Sequence, residues 1–310
     1  MSVSFLKHVA IEIPETDRKA AIGFYTDFGL DCVDQGELVA VTCSGRSYSS
    51  IYLIVGSNKK RIHHVGMGAS REGVEVVRRS VGAAGLEVVS EPAGFSETGL
   101  WFRNQHGLLF HIDVSDQEDD VAPEEPFLIN SPGHYNRVNA SSQVPQSEIG
   151  PTRPRKLGHI MLHTPDLDES IKFLVEVLGM RLSDRSQGVV AFLHCRGGSD
   201  HHVIALAQSS GIGFHHASFM LGTPDEVGLG GRRMIEKGHD RGWGFGRHAI
   251  GSNFFHYVRD PWGGYAEYYS DMDYIGDSDS WEPKNWPLKD SLKTWGPDVP
   301  DDFVHNYEID

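Results

Sequence analysis

The sequence predicts an α+β protein of four βαβββ modules, paired into two half-open barrel domains. Two observations carry this prediction: the chain repeats itself at about half its length, and each half holds two similar units. His8-Val-Ala-Ile-Glu-Ile-Pro14, followed by Phe28-Gly29-Leu30, corresponds to His159-Ile-Met-Leu-His-Thr-Pro165, followed by Leu178-Gly179-Met180. Arg61-Ile-His63-His64-Val-Gly-Met67 corresponds to Gly213-Phe-His215-His216-Ala-Ser-Phe219, and Asn104 to His111 corresponds to Asp260 to Glu267. A repeat of this length in 310 residues means two copies of one domain, placed at 1–150 and 151–310.

Within a module the opening strand is apolar or alternating. A proline with an acidic residue then starts a helix, and Gly29 or Gly179 stops it where a left-handed backbone is needed. In the third module Ile171, Leu174, Val175 and Leu178 recur at helical spacing and predict an apolar stripe on one helix face. Strand segments follow at Val189 to Cys195 and His202 to Gln208, with Gly197-Gly-Ser-Asp200 as the hairpin loop between them. One such sheet is too small to close a core, so modules pair.

Between the halves, Ser115 to Pro126 is acidic and proline-rich and Ser141 to Lys156 is polar and proline-punctuated, as linkers are. The tail carries Trp281, Trp286 and Trp295 among prolines, too many buried-type aromatics for a free segment. It is expected to pack on the second domain and close one side of a pocket.

Composition narrows the function. Hydrophobic residues make up 39% and charged residues 23%, ordinary for a soluble globular protein. No apolar run approaches a membrane span, and Met1-Ser-Val-Ser lacks the order of a signal peptide. Cys32, Cys43 and Cys195 are scattered and odd in number, which predicts reduced thiols in a cytoplasm. A net charge of −15 excludes a nucleic-acid partner, which is held mainly by Lys and Arg on phosphates.

His159, His216 and Glu267 lie in three separate strand-like segments with apolar neighbours. Two imidazoles and one carboxylate on one face of a metal make the arrangement of non-haem Fe(II) oxygenases, which leaves positions free for substrate and dioxygen. A carboxylate between Ala266 and Tyr268 would cost several kcal/mol if buried unpaired, and a metal removes that cost. Further polar residues follow in order in Asp200-His201-His202-Val-Ile-Ala-Leu206 and in Gly246-Arg-His248 to Tyr257.

These segments together resemble the type I extradiol catechol dioxygenases of the vicinal oxygen chelate superfamily, over most of the chain. The resemblance implies metal ligands at His159, His216 and Glu267, and catalytic residues at His202, His248 and Tyr257. In the pairs His201-His202 and His215-His216 it selects the second member. It implies Fe(II), with Mn(II) as the alternative, O2 as co-substrate, and a small catecholic substrate. His202 would hydrogen-bond oxygen and deliver a late proton, while His248 and Tyr257 would hold the substrate oxygens. Phe192, Met161, Trp243 and Ile250 would lie near the substrate ring, with His215 lining the pocket. Where some relatives carry an acidic residue shortly after the position of His248, this chain has Ile250-Gly251-Ser252. A homo-oligomer is expected.

In the first half His8, His64 and His111 occupy the equivalent positions, a set that could hold zinc in principle. Nothing there matches His202, His248 and Tyr257 as a group, and a vestigial site is expected. Two other functions share the fold. A glyoxalase-type isomerase or lyase requires a fourth protein ligand, and a metal-free binding protein has no need of Glu267 on an apolar strand.

Overall fold

A computed structural model of the chain describes residues 2–95, 98–119, 138–139, 145 and 148–309. The first module runs β1 (Phe5–Ile13), α1 (Arg18–Asp27), β2 (Asp31–Asp34), β3 (Leu38–Thr42) and β4 (Ile51–Val55). Next come β5 (Arg61–Ala69), α2 (Arg71–Ala83), β6 (Leu100–Arg103) and β7 (Leu109–Val114). The third module is β8 (Lys156–Thr164), α3 (Leu167–Glu176), β9 (Arg181–Ser186), β10 (Val190–His194), β11 (Ser199–Asp200) and β12 (Ile204–Gln208). The fourth is β13 (Gly213–Met220), α4 (Pro224–Glu236), β14 (Gly242–His248), β15 (Phe254–Arg259) and β16 (Tyr265–Ser270). The tail adds β17 (Tyr274–Ile275), β18 (Lys284–Trp286) and β19 (Lys293–Trp295).

Two large sheets result, ordered β2-β3-β4-β1-β5-β7-β6 and β18-β9-β10-β12-β8-β13-β16-β15-β14-β19, with a third of two strands, β11-β17. In the first, β1 pairs in parallel with β4 and antiparallel with β5; in the second, β8 does the same with β12 and β13. Modules therefore meet in pairs through their opening strands, the half-open barrels that the repeat predicts. Gly29 and Gly179 take φ of 95° and 70° and end α1 and α3 in the left-handed region. Asp166 caps α3 by accepting from the Glu169 amide, and Thr223 with Glu226 forms a capping box on α4.

Three local expectations are corrected. Among the described residues the second module has two strands after its helix rather than three; at the missing place Val88 makes a single bridge to Phe102. The intervening stretch contains Pro92 and Gly94, which cannot sustain a ladder. The buried face of α3 is Leu167, Ser170, Phe173 and Leu174, with Ile171 and Val175 only half-buried, and Leu178 lies beyond its end. The hairpin of β10 and β12 forms as expected, but within its loop Ser199 and Asp200 are not free: they form β11 against β17. His202 consequently stands just before β12, with the neighbouring His201 amide held by the Asp273 carbonyl at 2.6 Å. Of the linker expected at Ser115 to Pro126, residues 120–126 lie outside the described residues, and so does much of Ser141 to Lys156 before residue 148.

The tail covers both edges of the larger sheet, which would otherwise present unpaired backbone groups. β18 lies parallel to β9, and β19 pairs with β14. Trp281 donates its indole N–H to the Ser183 carbonyl at 2.7 Å, whereas Trp295 is 44% exposed beside Phe245 and Phe254. The halves pack through Phe28, stacked on Tyr268 at 3.8 Å, whose hydroxyl donates to the Phe28 carbonyl. Glu308 ties them a second time, accepting from the Ile62 and Phe214 amides and facing Lys60 Nζ at 2.6 Å. No helix among the described residues is long and apolar enough to cross a membrane.

Candidate metal centre

Strands β8, β13, β16 and β15 are neighbours in the middle of the larger sheet, and their register sets one row of side chains on one face. Ser218 is opposite His159 and beside Glu267, and Glu267 is opposite Tyr257. His216 precedes Ser218 by two residues and so shares its face. The next row brings His216 opposite Met161, Met161 beside Ala205, and Ala205 opposite Phe192.

The ligating atoms of His159, His216 and Glu267 all lie within 4.8 Å of one another, the one such group of three among the described residues. Glu267 Oε2 is 3.1 Å from His159 Nε2 and 3.5 Å from His216 Nε2. Donors at right angles about an ion ~2.1 Å away would be about 3 Å apart, so these separations fit a shared cation. Glu267 is fully buried, and neither of its oxygens receives a well-directed hydrogen bond. Such a carboxylate is costly unless a cation compensates it. Burial acts to raise its pKa, yet the imidazoles of His159, His248 and His216 hold it well below the usual carboxylate range. Burial, then the adjacent His215, pushes His216 well below the usual imidazole value, which keeps its ring neutral and fit to ligate.

Backbone carbonyls orient these rings. His215 Nε2–H donates to the Phe303 carbonyl at 2.5 Å, so its Nδ1 accepts the hydrogen of His216 Nδ1 at 2.6 Å. His216 Nε2 is thereby left free toward Glu267, the second-sphere arrangement typical of metal-ligating histidines. His248 Nδ1–H donates to the Leu292 carbonyl at 2.6 Å, leaving Nε2 to accept from the Tyr257 hydroxyl at 3.0 Å. Burial, then Glu267, raises the Tyr257 pKa well above the usual phenol value, so the hydroxyl keeps its hydrogen.

A pocket opens onto this row. Of the residues expected in the site, His159, His216, His202, His248, Tyr257, Met161, Phe192 and Ile250 line it. His202 lies against His159 with ring centroids 4.3 Å apart, and burial followed by His159 and His201 pushes its pKa well below the usual value. Two expected residues stand one layer back. Trp243 stacks on Tyr257, packs edge-on to Phe303 and donates to the Pro297 carbonyl, while His215 is turned to Phe303 and His216. Ser291, Leu292, Phe303 and Val304 also line the pocket, so the tail closes one side of it as expected, through residues other than its tryptophans.

The equivalent place in the first half is arranged differently. His8 Nε2 faces His64 Nε2 at 2.9 Å, while His111 Nε2 donates to the Thr98 carbonyl and its ring is stacked on Trp101 at 4.0 Å. His111 is thus engaged elsewhere, and among the described residues the strand that would correspond to β14, bearer of His248, is the one this half lacks.

Two half-open barrels and an N2O donor set on central strands define the vicinal oxygen chelate class. The family model "Glyoxalase/Bleomycin resistance protein/Dioxygenase superfamily" matches residues 156–268. Metapyrocatechase 2 of Cupriavidus necator is 35% identical over 308 residues, 99% of this chain and 93% of that one. A manganese-dependent 2,3-dihydroxybiphenyl 1,2-dioxygenase of Geobacillus genomosp. 3 is 27% identical, across 94% of this chain and 93% of that one. Among solved structures, an Mn(II)-bound glyoxalase from Novosphingobium aromaticivorans superposes with a TM-score of 0.74 at 26% identity, covering 100% of this chain and 99% of the other. The chain belongs to the extradiol catechol dioxygenases of this superfamily and is an oxidoreductase.

Proposed function

We propose that a divalent ion, Fe(II) with Mn(II) as the alternative, is held by His159, His216 and Glu267, and that the enzyme opens the ring of a catechol beside its vicinal hydroxyls with O2. The observation that carries this reading is Glu267, fully buried, without a directed hydrogen-bond donor, and facing the imidazoles of His159 and His216. When bound, the ion supplies Lewis acidity that favours the ionised catechol and a common point of contact for substrate and O2.

The protein's own groups do the rest. Tyr257 and His248 hold the substrate oxygens, preorganised by the carbonyl of Leu292. His202, neutral in its buried position, faces the oxygen and carries the late proton. Met161, Val190, Phe192, Ile250, Leu292 and Phe303 exclude water and favour an uncharged aromatic substrate, and no Lys or Arg is among the lining residues to bind an anionic tail. A glyoxalase would need a fourth protein ligand, and the donor group has three members. We infer that the first half holds no metal.

The test is direct. Anaerobically purified protein, loaded with Fe(II) or Mn(II) and mixed in air with a panel of catechols, is expected to consume oxygen and form a yellow semialdehyde, fastest with uncharged substituents. No oxygen uptake with any catechol and either ion would refute the reading.

A further inference from the structure

Behind His202 lies a second line of buried side chains. His201 Nδ1 is 3.1 Å from His202 Nδ1, and His201 Nε2 is 3.1 Å from Asp184 Oδ2. His201 is 1% exposed, Asp184 and His202 4% each. An ionised carboxylate only accepts, so the His201 hydrogen sits on Nε2. With its hydrogen on Nε2, His201 accepts at Nδ1, and the hydrogen between the rings belongs to His202 Nδ1. This leaves the Nε2 lone pair of His202, a pocket-lining ring, for substrate chemistry.

The line is anchored from the tail. Asp184 Oδ1 accepts from the Lys284 amide at 2.6 Å, where β18 runs beside β9, and Trp281 packs edge-on to His201 at 5.6 Å. We propose that Asp184 and His201 are positioning residues for His202: a carboxylate–imidazole–imidazole line that fixes His202 as donor at Nδ1 and acceptor at Nε2. The carboxylate of a serine-protease triad orients its histidine by the same logic. The inference rests on the reading that His202 handles the reaction's proton.

Asp184→Asn inverts the line without changing its volume. The Lys284 N–H still requires an acceptor, so the new amide's oxygen stays there and its NH2 faces His201 Nε2. His201 must then accept at Nε2 and carry its hydrogen on Nδ1, which forces the His202 hydrogen onto Nε2. In full-length protein with ¹⁵N-labelled histidine and no added metal, NMR is expected to find His202 protonated at Nδ1 in the wild type and at Nε2 in Asp184→Asn. In the iron-loaded enzyme, Asp184→Asn should lower kcat by ~10²-fold or more, the scale of general acid–base catalysis, with the catechol KM within about threefold of wild type. Metal content should be unchanged. His201→Gln, which keeps a polar group but no ring to transmit the tautomer, is expected to show the same loss and serves if Asp184→Asn does not fold. Unchanged kcat in either variant, or an Nδ1-protonated His202 in Asp184→Asn, overturns the proposal. His202→Phe separates the two levels. If it also leaves kcat unchanged, the reading of His202 itself fails; if it alone lowers kcat, only the line behind it fails.

Discussion

The Tyr257 hydroxyl donates to His248 Nε2 across 3.0 Å because His248 Nδ1 is already committed to the Leu292 carbonyl. A tail residue thus decides which nitrogen of the pocket-lining His248 imidazole meets Tyr257.

Tyr257→Phe removes that donor and little else, since the ring is buried among Trp243, Phe255 and Phe303. We expect kcat/KM for catechols to fall by about 10²-fold, the usual cost of losing one preorganised donor, with metal content unchanged. Oxygen-uptake kinetics would read it. A loss under threefold would remove Tyr257 from the catalytic set.

Stability should fail on the acid side, and the first half should contribute. Burial, then His111, pushes the His8 pKa from 6.5 down to about 3. Between these values the unfolded chain binds a proton that the folded chain excludes. His8 therefore contributes its full stability above pH 6.5 and loses it progressively as the pH falls toward 3. His8→Gln should flatten this acid limb. Urea midpoints at neutral pH and near pH 5 would reveal it; an unchanged difference between the two would contradict the argument.

At the seam between the halves, Lys60 and Glu308 form a buried ion pair with side chains 5% exposed each. Removing one partner leaves the other charge buried and the Ile62 and Phe214 amides without their acceptor. Glu308→Ala should cost about 3–5 kcal/mol, measured by chemical denaturation. Phe214 stands two residues before His216, so metal affinity should weaken as well.

How much of this was readable in the chain depends on how locally each feature is encoded. The module pairing follows from the repeat of His8 and His159, each at the head of an opening strand, and the donor triad from three strand-borne residues in a fixed order. Asp184 carried no such signal, for its partner His201 is 17 residues away and meets it only once the sheet has formed. That the tail closes the pocket followed from its aromatics, but its wall residues Leu292 and Phe303 were hidden, since neither periodicity nor spacing marks which part of a segment covering an edge turns inward. The missing strand of the second module could have been suspected from Pro92 and Gly94. The set-back position of Trp243 could not, because it depends on where Phe303 comes to rest.

The central claim is that His159, His216 and Glu267 hold the metal on which catechol cleavage depends. Metal per chain, measured after anaerobic loading and removal of excess ion, tests it most directly when wild type is compared with Glu267→Ala. About one ion per chain in the wild type and almost none in a folded, inactive Glu267→Ala protein is the expected result. A Glu267→Ala protein that keeps a stoichiometric ion and full turnover would contradict the assignment, and two ions in the wild type would contradict the vestigial reading of His8, His64 and His111.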